Sequence, residues 1–284
     1  MSSLVELLEV FDVQQVEEGT YVGGSDGGTR AVVDGSQLLA QAIVAGAKTY
    51  PQKSVRSAYA SFLRAASPDE QVTFDVATVH SGRTFTNVIV TVRQGERTCS
   101  VVHVLLDVPQ PDVIRHAAPM PRPSTPEQAL PVEMPLEGRE LRLVDVADPN
   151  AADEVGPPLL DAWLHYGVVP ERDDLRKALL AHFTGHLSIS ATMRGHAGIG
   201  TSMAHHTLST AVTTIDVTFH EPVTWDGWLS YVHESTFAGA GTSYVRGQVF
   251  TEAGVLIASF GQQGMIRQFA PQSASATMPV AARL

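Results

Sequence analysis

Residues 34–49, Asp34-Gly-Ser-Gln-Leu-Leu-Ala-Gln-Ala-Ile-Val-Ala-Gly-Ala-Lys-Thr49, place apolar side chains nearly all the way round a helical wheel. Leu38, Leu39, Ala42, Ile43 and Ala45 leave almost no polar stripe, and a helix apolar on every side is a buried one. Ser36 is the expected N-cap, and Pro51 stands past the end. The period then changes from helical to strand-like. Residues 57–64, 71–80, 84–93 and 98–106 are rich in Val, Ile, Thr and Phe and are separated by short turns such as Gln94-Gly95.

The same order recurs. Residues 173–183 have an acidic first turn and put Leu175, Leu179 and Phe183 on one helical face. Strands are predicted at 213–219, 227–234, 243–250 and 255–267. One stretch of the two halves aligns without gaps: Ser57-Ala-Tyr-Ala-Ser-Phe-Leu-Arg64 lies over Thr214-Ile-Asp-Val-Thr-Phe-His-Glu221, and Ser81-Gly82 over Ala238-Gly239. A buried helix followed by antiparallel strands, twice over, is an α+β architecture. Eight prolines between Pro109 and Pro135 rule out a central strand or a helix there. The expected organisation is a first unit at 1–108, a proline-rich linker at 109–140, a second unit at 141–267 and a flexible tail at 268–284.

Composition narrows the function classes. The chain has 284 residues, 44% hydrophobic and 17% charged, with a formal net charge of −11. That surface disfavours nucleic acid and anionic lipid as bulk partners. No apolar run reaches the roughly 20 residues of a membrane span, so membrane insertion is not expected. The single cysteine, Cys99, excludes an intrachain disulfide, and it sits among β-branched residues as a core side chain would. The acidic start, without a basic segment, predicts no secretory signal and a cytoplasmic protein. The terminal Ala282-Arg283-Leu284 gives a weak peroxisomal alternative.

Several segments together resemble the acyl-CoA thioesterase II (TesB-like) family of double hot-dog enzymes. They are Gly35-Ser-Gln-Leu-Leu-Ala-Gln-Ala42, residues 57–64, Ser81-Gly-Arg-Thr-Phe85, Thr214-Ile-Asp216, Phe219-His-Glu-Pro222, Trp228-Leu-Ser-Tyr231 and residues 250–267. Their order and spacing carry the resemblance, over residues 20–107 and 140–267. It implies a tandem hot-dog fold, each unit a curved antiparallel sheet around a central helix. It also implies an acyl-CoA substrate, lipid or fatty-acid metabolism, no cofactor, no metal, and a homo-oligomer, a dimer or higher.

In that family a helical Asp, a strand Thr and a Gln hold and activate the attacking water. Matched to the motifs, the Thr is Thr214 and the Gln is Gln262. The Asp is replaced: the family's Ser-Asp-aromatic segment lies over Thr184-Gly185-His186. His186 can take the base role, since imidazole titrates near neutrality. Asp216 is the other carboxylate near Thr214, and absence of any competent base is the third possibility. The leaving group of a thioester is a stable thiolate, so hydrolysis needs a positioned water, a weak base and oxyanion donors. The start of the buried helix at Gly35-Ser36 is the expected oxyanion site, and the small residues from 40 to 47 are expected to leave an acyl slot. Arg56, Arg64, Arg83 and Arg246 are candidates for the CoA phosphates.

Other signals are weaker. Gly23-Gly-Ser-Asp-Gly27 fits the serine-hydrolase elbow, but no apolar helix follows directly. His182 and His186 are four apart, yet Phe183 stands where a zincin has Glu. A double hot-dog hydratase needs Asp and His close on one loop-helix segment, and none matches. Trp163, Trp225 and Trp228 are expected to pack. The alternative to hydrolysis is an acyl-CoA-binding protein of the same fold that lost its base at Gly185.

Overall fold

The computed structural model describes residues 3–25, 32–134 and 136–269. The serine-elbow motif lies partly outside them, and the tail beyond Phe269 wholly outside. In chain order the first half contains α1 (Leu4–Phe11), β1 (Gln14–Glu17), β2 (Thr20–Gly23), α2 (Gly35–Thr49), β3 (Ser54–Phe62), β4 (Val72–Ser81), β5 (Thr86–Gln94) and β6 (Arg97–Asp107). The second contains β7 (Leu130–Pro131), β8 (Arg139–Leu143), β9 (Leu159–Tyr166), α3 (Asp173–Thr184), α4 (Ser188–Met193), β10 (Leu208–Phe219), β11 (Leu229–Gly239), β12 (Thr242–Thr251) and β13 (Leu256–Gln268).

All these strands form one sheet in the order β1-β2-β4-β5-β6-β3-β10-β13-β12-β11-β9-β8-β7. The order reads symmetrically outward from the junction of β3 and β10, which pair antiparallel. Tyr59 and Asp216 hold the same position in the internal repeat, and they face each other across that junction. An approximate two-fold axis therefore passes between them. The repeat implied an α+β architecture and the family resemblance a double hot-dog, and the fold is both.

The two central helices share the inner face. α2 packs on β3, β4, β5 and β6, α3 on β3 and β10, and the helices press against each other. They run antiparallel: Gly185, after α3, abuts Ser36 at the start of α2, while Lys177 in α3 reaches Ser54 and the Val55 carbonyl just past the end of α2. Residues Ser36 to Gly46 of α2 are all buried. Full burial of a Leu, Ile or Val side chain contributes roughly 1.5–3 kcal/mol. The N-cap is Asp34, not Ser36: its Oδ1 accepts from the Ser36 N–H at 3.0 Å. The small residues expected to leave an acyl slot are instead used in packing. Ala40, Ala42 and Ala45 are fully buried, and a Cβ added at Gly46 would touch Val88 and Val104 at 3.5 Å.

The proline-rich stretch divides in two. Val113 and Ile114 are almost fully exposed. From Arg122 onward the chain straps the second unit. The Arg122 guanidinium forks onto the buried Asp161 carboxylate with two bonds of 2.7 Å, and Ser124 Oγ accepts from Trp163 Nε1 at 3.0 Å. β7, carrying Pro131, forms the sheet edge, where a missing N–H is tolerated. Among the described residues no helix is long and apolar enough to cross a membrane.

Candidate active site

Gln262 is 1% exposed on the inner face of β13, between Phe260 and Gly264 in the strand alternation. Its side-chain N–H₂ donates to the Thr184 carbonyl at 3.4 Å. That carbonyl belongs to the peptide leading into Gly185, where α3 ends. Gly185 has no side chain because there is no room for one. A Cβ there would overlap the Ser36 Cβ and lie 2.7 Å from the Ser36 Oγ. Ser36 itself is 1% exposed, and its Oγ–H donates to Asp34 Oδ1 at 2.9 Å. The start of α2, the end of α3 and Gln262 of β13 thus meet at one point. Asp34, Gly35, Gly185 and His186 are only partly buried and form its rim.

His186 stands one residue beyond Gly185. Its ring lies flat on Phe183, with centroids 5.2 Å apart and planes at 7°, and Nδ1 is 3.1 Å from the His182 carbonyl. His182 packs edge-on to His186 and against Phe11. Burial pushes the His182 pKa down to about 3, the His186 charge adding to the effect, so His182 is neutral at physiological pH. His233, on β11, is likewise lowered to about 4 by burial while its Nδ1 side bonds the Leu160 carbonyl.

Two expected members lie elsewhere. The β10–β13 register sets Ile215 opposite Gln262 and Thr214 opposite Gln263. Thr214 therefore points to the outer face, as do its neighbour Ser61 on β3 and the exposed Gln263. A bulge between Val212 and Thr214 sets this phase, leaving Thr213 unpaired with its Oγ1 on the Gln263 carbonyl at 3.2 Å. The expectation of one water held between Thr214 and Gln262 fails on this register. Asp216 shares the outer face with Thr214, opposite Tyr59 and Gly261, and burial raises its pKa. It is separated from Gln262 by the sheet.

The basic candidates also divide. Arg64 follows Phe62, whose ring lies against Gly35 at the start of α2, so it is at the site's end of the molecule and exposed. Arg83 is at the other end, beside the turn whose Gly82 carbonyl accepts from Lys53 past the end of α2. Arg56 is bound to Asp107 and the Phe219 carbonyl, and Arg246 to Glu234. The residue that sequence reasoning misses is Asp34, which reads only as the start of a helical run. An Asp two residues before a buried Ser at a helix start is the available signal.

The fold and site define a tandem hot-dog protein with a polar point where the two central helix ends meet. Comparison with known proteins gives the family. Residues 26–107 match the model of the acyl-CoA thioesterase N-terminal domain, and residues 115–266 that of the acyl-CoA thioesterase C-terminal domain. Acyl-CoA thioesterase 2 of Haemophilus influenzae is 26% identical, over 93% of this chain and 98% of that protein. Acyl-coenzyme A thioesterase 8 of mouse is also 26% identical, over 82% of this chain and 79% of that protein. The acyl-CoA thioesterase II TesB2 structure from Mycobacterium marinum superposes with a TM-score of 0.78 at 23% identity, covering 95% of this chain and all of that one. A hot-dog protein from Alicyclobacillus acidocaldarius superposes at 0.75 with 15% identity, over 94% and 98% of the two chains. The chain belongs to the TesB-like acyl-CoA thioesterase family.

Proposed function

We propose that this protein hydrolyses acyl-CoA thioesters to a free acid and CoA, at the point where Gln262 meets the facing ends of α2 and α3. The observation that carries this reading is a glutamine amide, fully buried, aimed at the backbone beside Gly185. A buried amide with donors and an acceptor can orient a water and steady charge on the thioester oxygen, in a setting where solvent screening is weak. The His186 imidazole is the titratable ring at the same break. Arg64 is the cation best sited for a CoA phosphate. Thr214 and Asp216, on the other face of the sheet, take no part.

The test is thiol release from a panel of acyl-CoAs of increasing chain length. Gln262→Ala should lose about 10²–10³-fold in kcat, the usual cost of removing one transition-state donor. Thr214→Ala should stay within about twofold of wild type, since its side chain is not at the site. Binding of acyl-CoA without thiol release from any member of the panel would overturn hydrolysis. It would leave the non-catalytic binding protein that a missing helical carboxylate also allows.

A further inference from the structure

Resting on the thioesterase reading, we propose that Ser36 and Asp34 supply the proton acceptor that Gly185 cannot, with Ser36 Oγ contacting the attacking water and Asp34 the carboxylate behind it. By the family resemblance, the base would be a carboxylate rooted at the position of Gly185. Here that volume is filled from the opposite helix. Ser36 Cβ and Oγ occupy the space that a side chain at 185 would need. The Ser36 hydroxyl proton is committed to Asp34 Oδ1 at 2.9 Å, and the same oxygen accepts the Ser36 N–H at 3.0 Å. The lone pairs of Ser36 Oγ are thus left to accept a proton from water. Gln262, bound to the adjacent Thr184 carbonyl, flanks the same spot from the sheet. Ser36 and Gln262 are each 1% exposed, so bulk water does not compete for these groups. Asp34 is only partly buried and opens the pair to the rim.

The step balances without a co-reactant. The water oxygen bonds to the thioester carbonyl carbon as one of its protons passes to Ser36 Oγ and the serine proton moves to Asp34. The C–S bond then breaks, with the electron pair leaving on sulfur. The proton on Asp34 returns through Ser36 to the thiolate, giving the free acid and the thiol of CoA. Asp34 acts through Ser36 and is a positioning residue.

Three variants test this. Ser36→Ala keeps the backbone N–H on Asp34 and the Cβ against Gly185 but removes the hydroxyl. Asp34→Asn keeps the helix cap, for which Asn serves as well as Asp. Ser36→Gly/Gly185→Asp clears the space and moves the carboxylate to α3. Both single changes should lower kcat about 100-fold or more, with KM within about threefold. Asp34→Asn should also remove the acid limb of the kcat/KM pH profile, a limb that His186→Asn should leave in place. His182, which the Asp34 charge also reaches, does not supply that limb because its pKa is held at about 3. The double variant should regain at least 10-fold over Ser36→Ala, and its acid limb should return. If wild type hydrolyses acyl-CoA but Ser36→Ala and Asp34→Asn both stay within threefold of it, the proposal is overturned and the thioesterase reading stands. The proposal is overturned in the same way if His186→Asn alone abolishes turnover. Absence of thiol release from wild type sinks the reading and the proposal together.

Discussion

Mild acid should unfold this protein through two histidines, by an amount the structure allows to be worked out. His182 and His233 are fully buried, and burial holds their pKa values at about 3 and about 4. In the unfolded chain each returns to roughly 6.5. The folded values lie below the unfolded one, so the unfolded state takes up protons first as pH falls. Stability is intact above about 6.5 and is lost progressively toward the folded values. At pH 5.5 the unfolded histidines are about ten to one protonated and the folded ones are not. Each then costs about 1.4 kcal/mol, and the pair about 3 kcal/mol. Against a typical total of 5–15 kcal/mol that is a large share.

Asp216, whose pKa burial raises, changes stability with the opposite sign, so the comparison of each histidine variant with wild type carries the test rather than the wild-type slope alone. His220 shifts the same way as the buried pair but is half-exposed and paired with Ser259, so it contributes less. The assay is urea unfolding of wild type, His182→Gln and His233→Gln at pH 7.5, 6.5 and 5.5. Each variant should lose about half of the wild-type decline between 7.5 and 5.5, whatever its stability at pH 7.5. If both variants decline as steeply as wild type, the two rings are not the proton sink and the burial argument is wrong.

Two further outcomes concern packing and the strap. Arg122→Ala leaves Asp161 buried at 7% side-chain exposure without its cation. Because Arg122 is one-third exposed, the expected loss is about 2 kcal/mol, below the usual cost of breaking a fully buried pair, and Asp161→Asn in that background should recover part of it by urea midpoint. Gly247→Ala drives a Cβ into the Phe260 ring, which also packs against the Tyr231 and His233 rings. It should cost about 1–3 kcal/mol in thermal unfolding, and Phe260→Leu should relieve it.

Much of the fold is legible in the sequence because most strands have one wet face. β5 alternates Val88, Val90 and Val92 inward with the exposed Ile89 outward, and its period is plain in the sequence. β9 gives no such signal, although Leu159–Tyr166 is one of the most buried strands in the sheet. Its inner side chains Leu160, Ala162 and Leu164 meet the core, while Asp161 and Trp163 on the outer face are covered by Arg122 and Ser124 of the strap. A strand buried on both faces shows no alternation. Gln262 is legible for the opposite reason, since it alternates with a bulky Phe260. The face of Thr214 is not legible, because the run Val212-Thr-Thr-Ile215 is equally apolar and β-branched in either phase. The bulge that decides the phase has no mark in composition.

The exchange at Ser36 and Gly185 is of a different kind, because neither position is anomalous alone. A serine in the first turn of a helix is ordinary, and so is a glycine at a helix C-terminus. Only the antiparallel contact of α2 and α3 makes them one site, with room for one side chain between two backbones. Carboxylate chemistry at such a point can be rooted in either helix. What the geometry forbids is both at once: Gly185→Asp on its own would have to displace Ser36, and with it the hydroxyl that Asp34 holds. The glycine at the end of α3 and the serine–aspartate pair at the start of α2 are therefore two views of a single packing constraint.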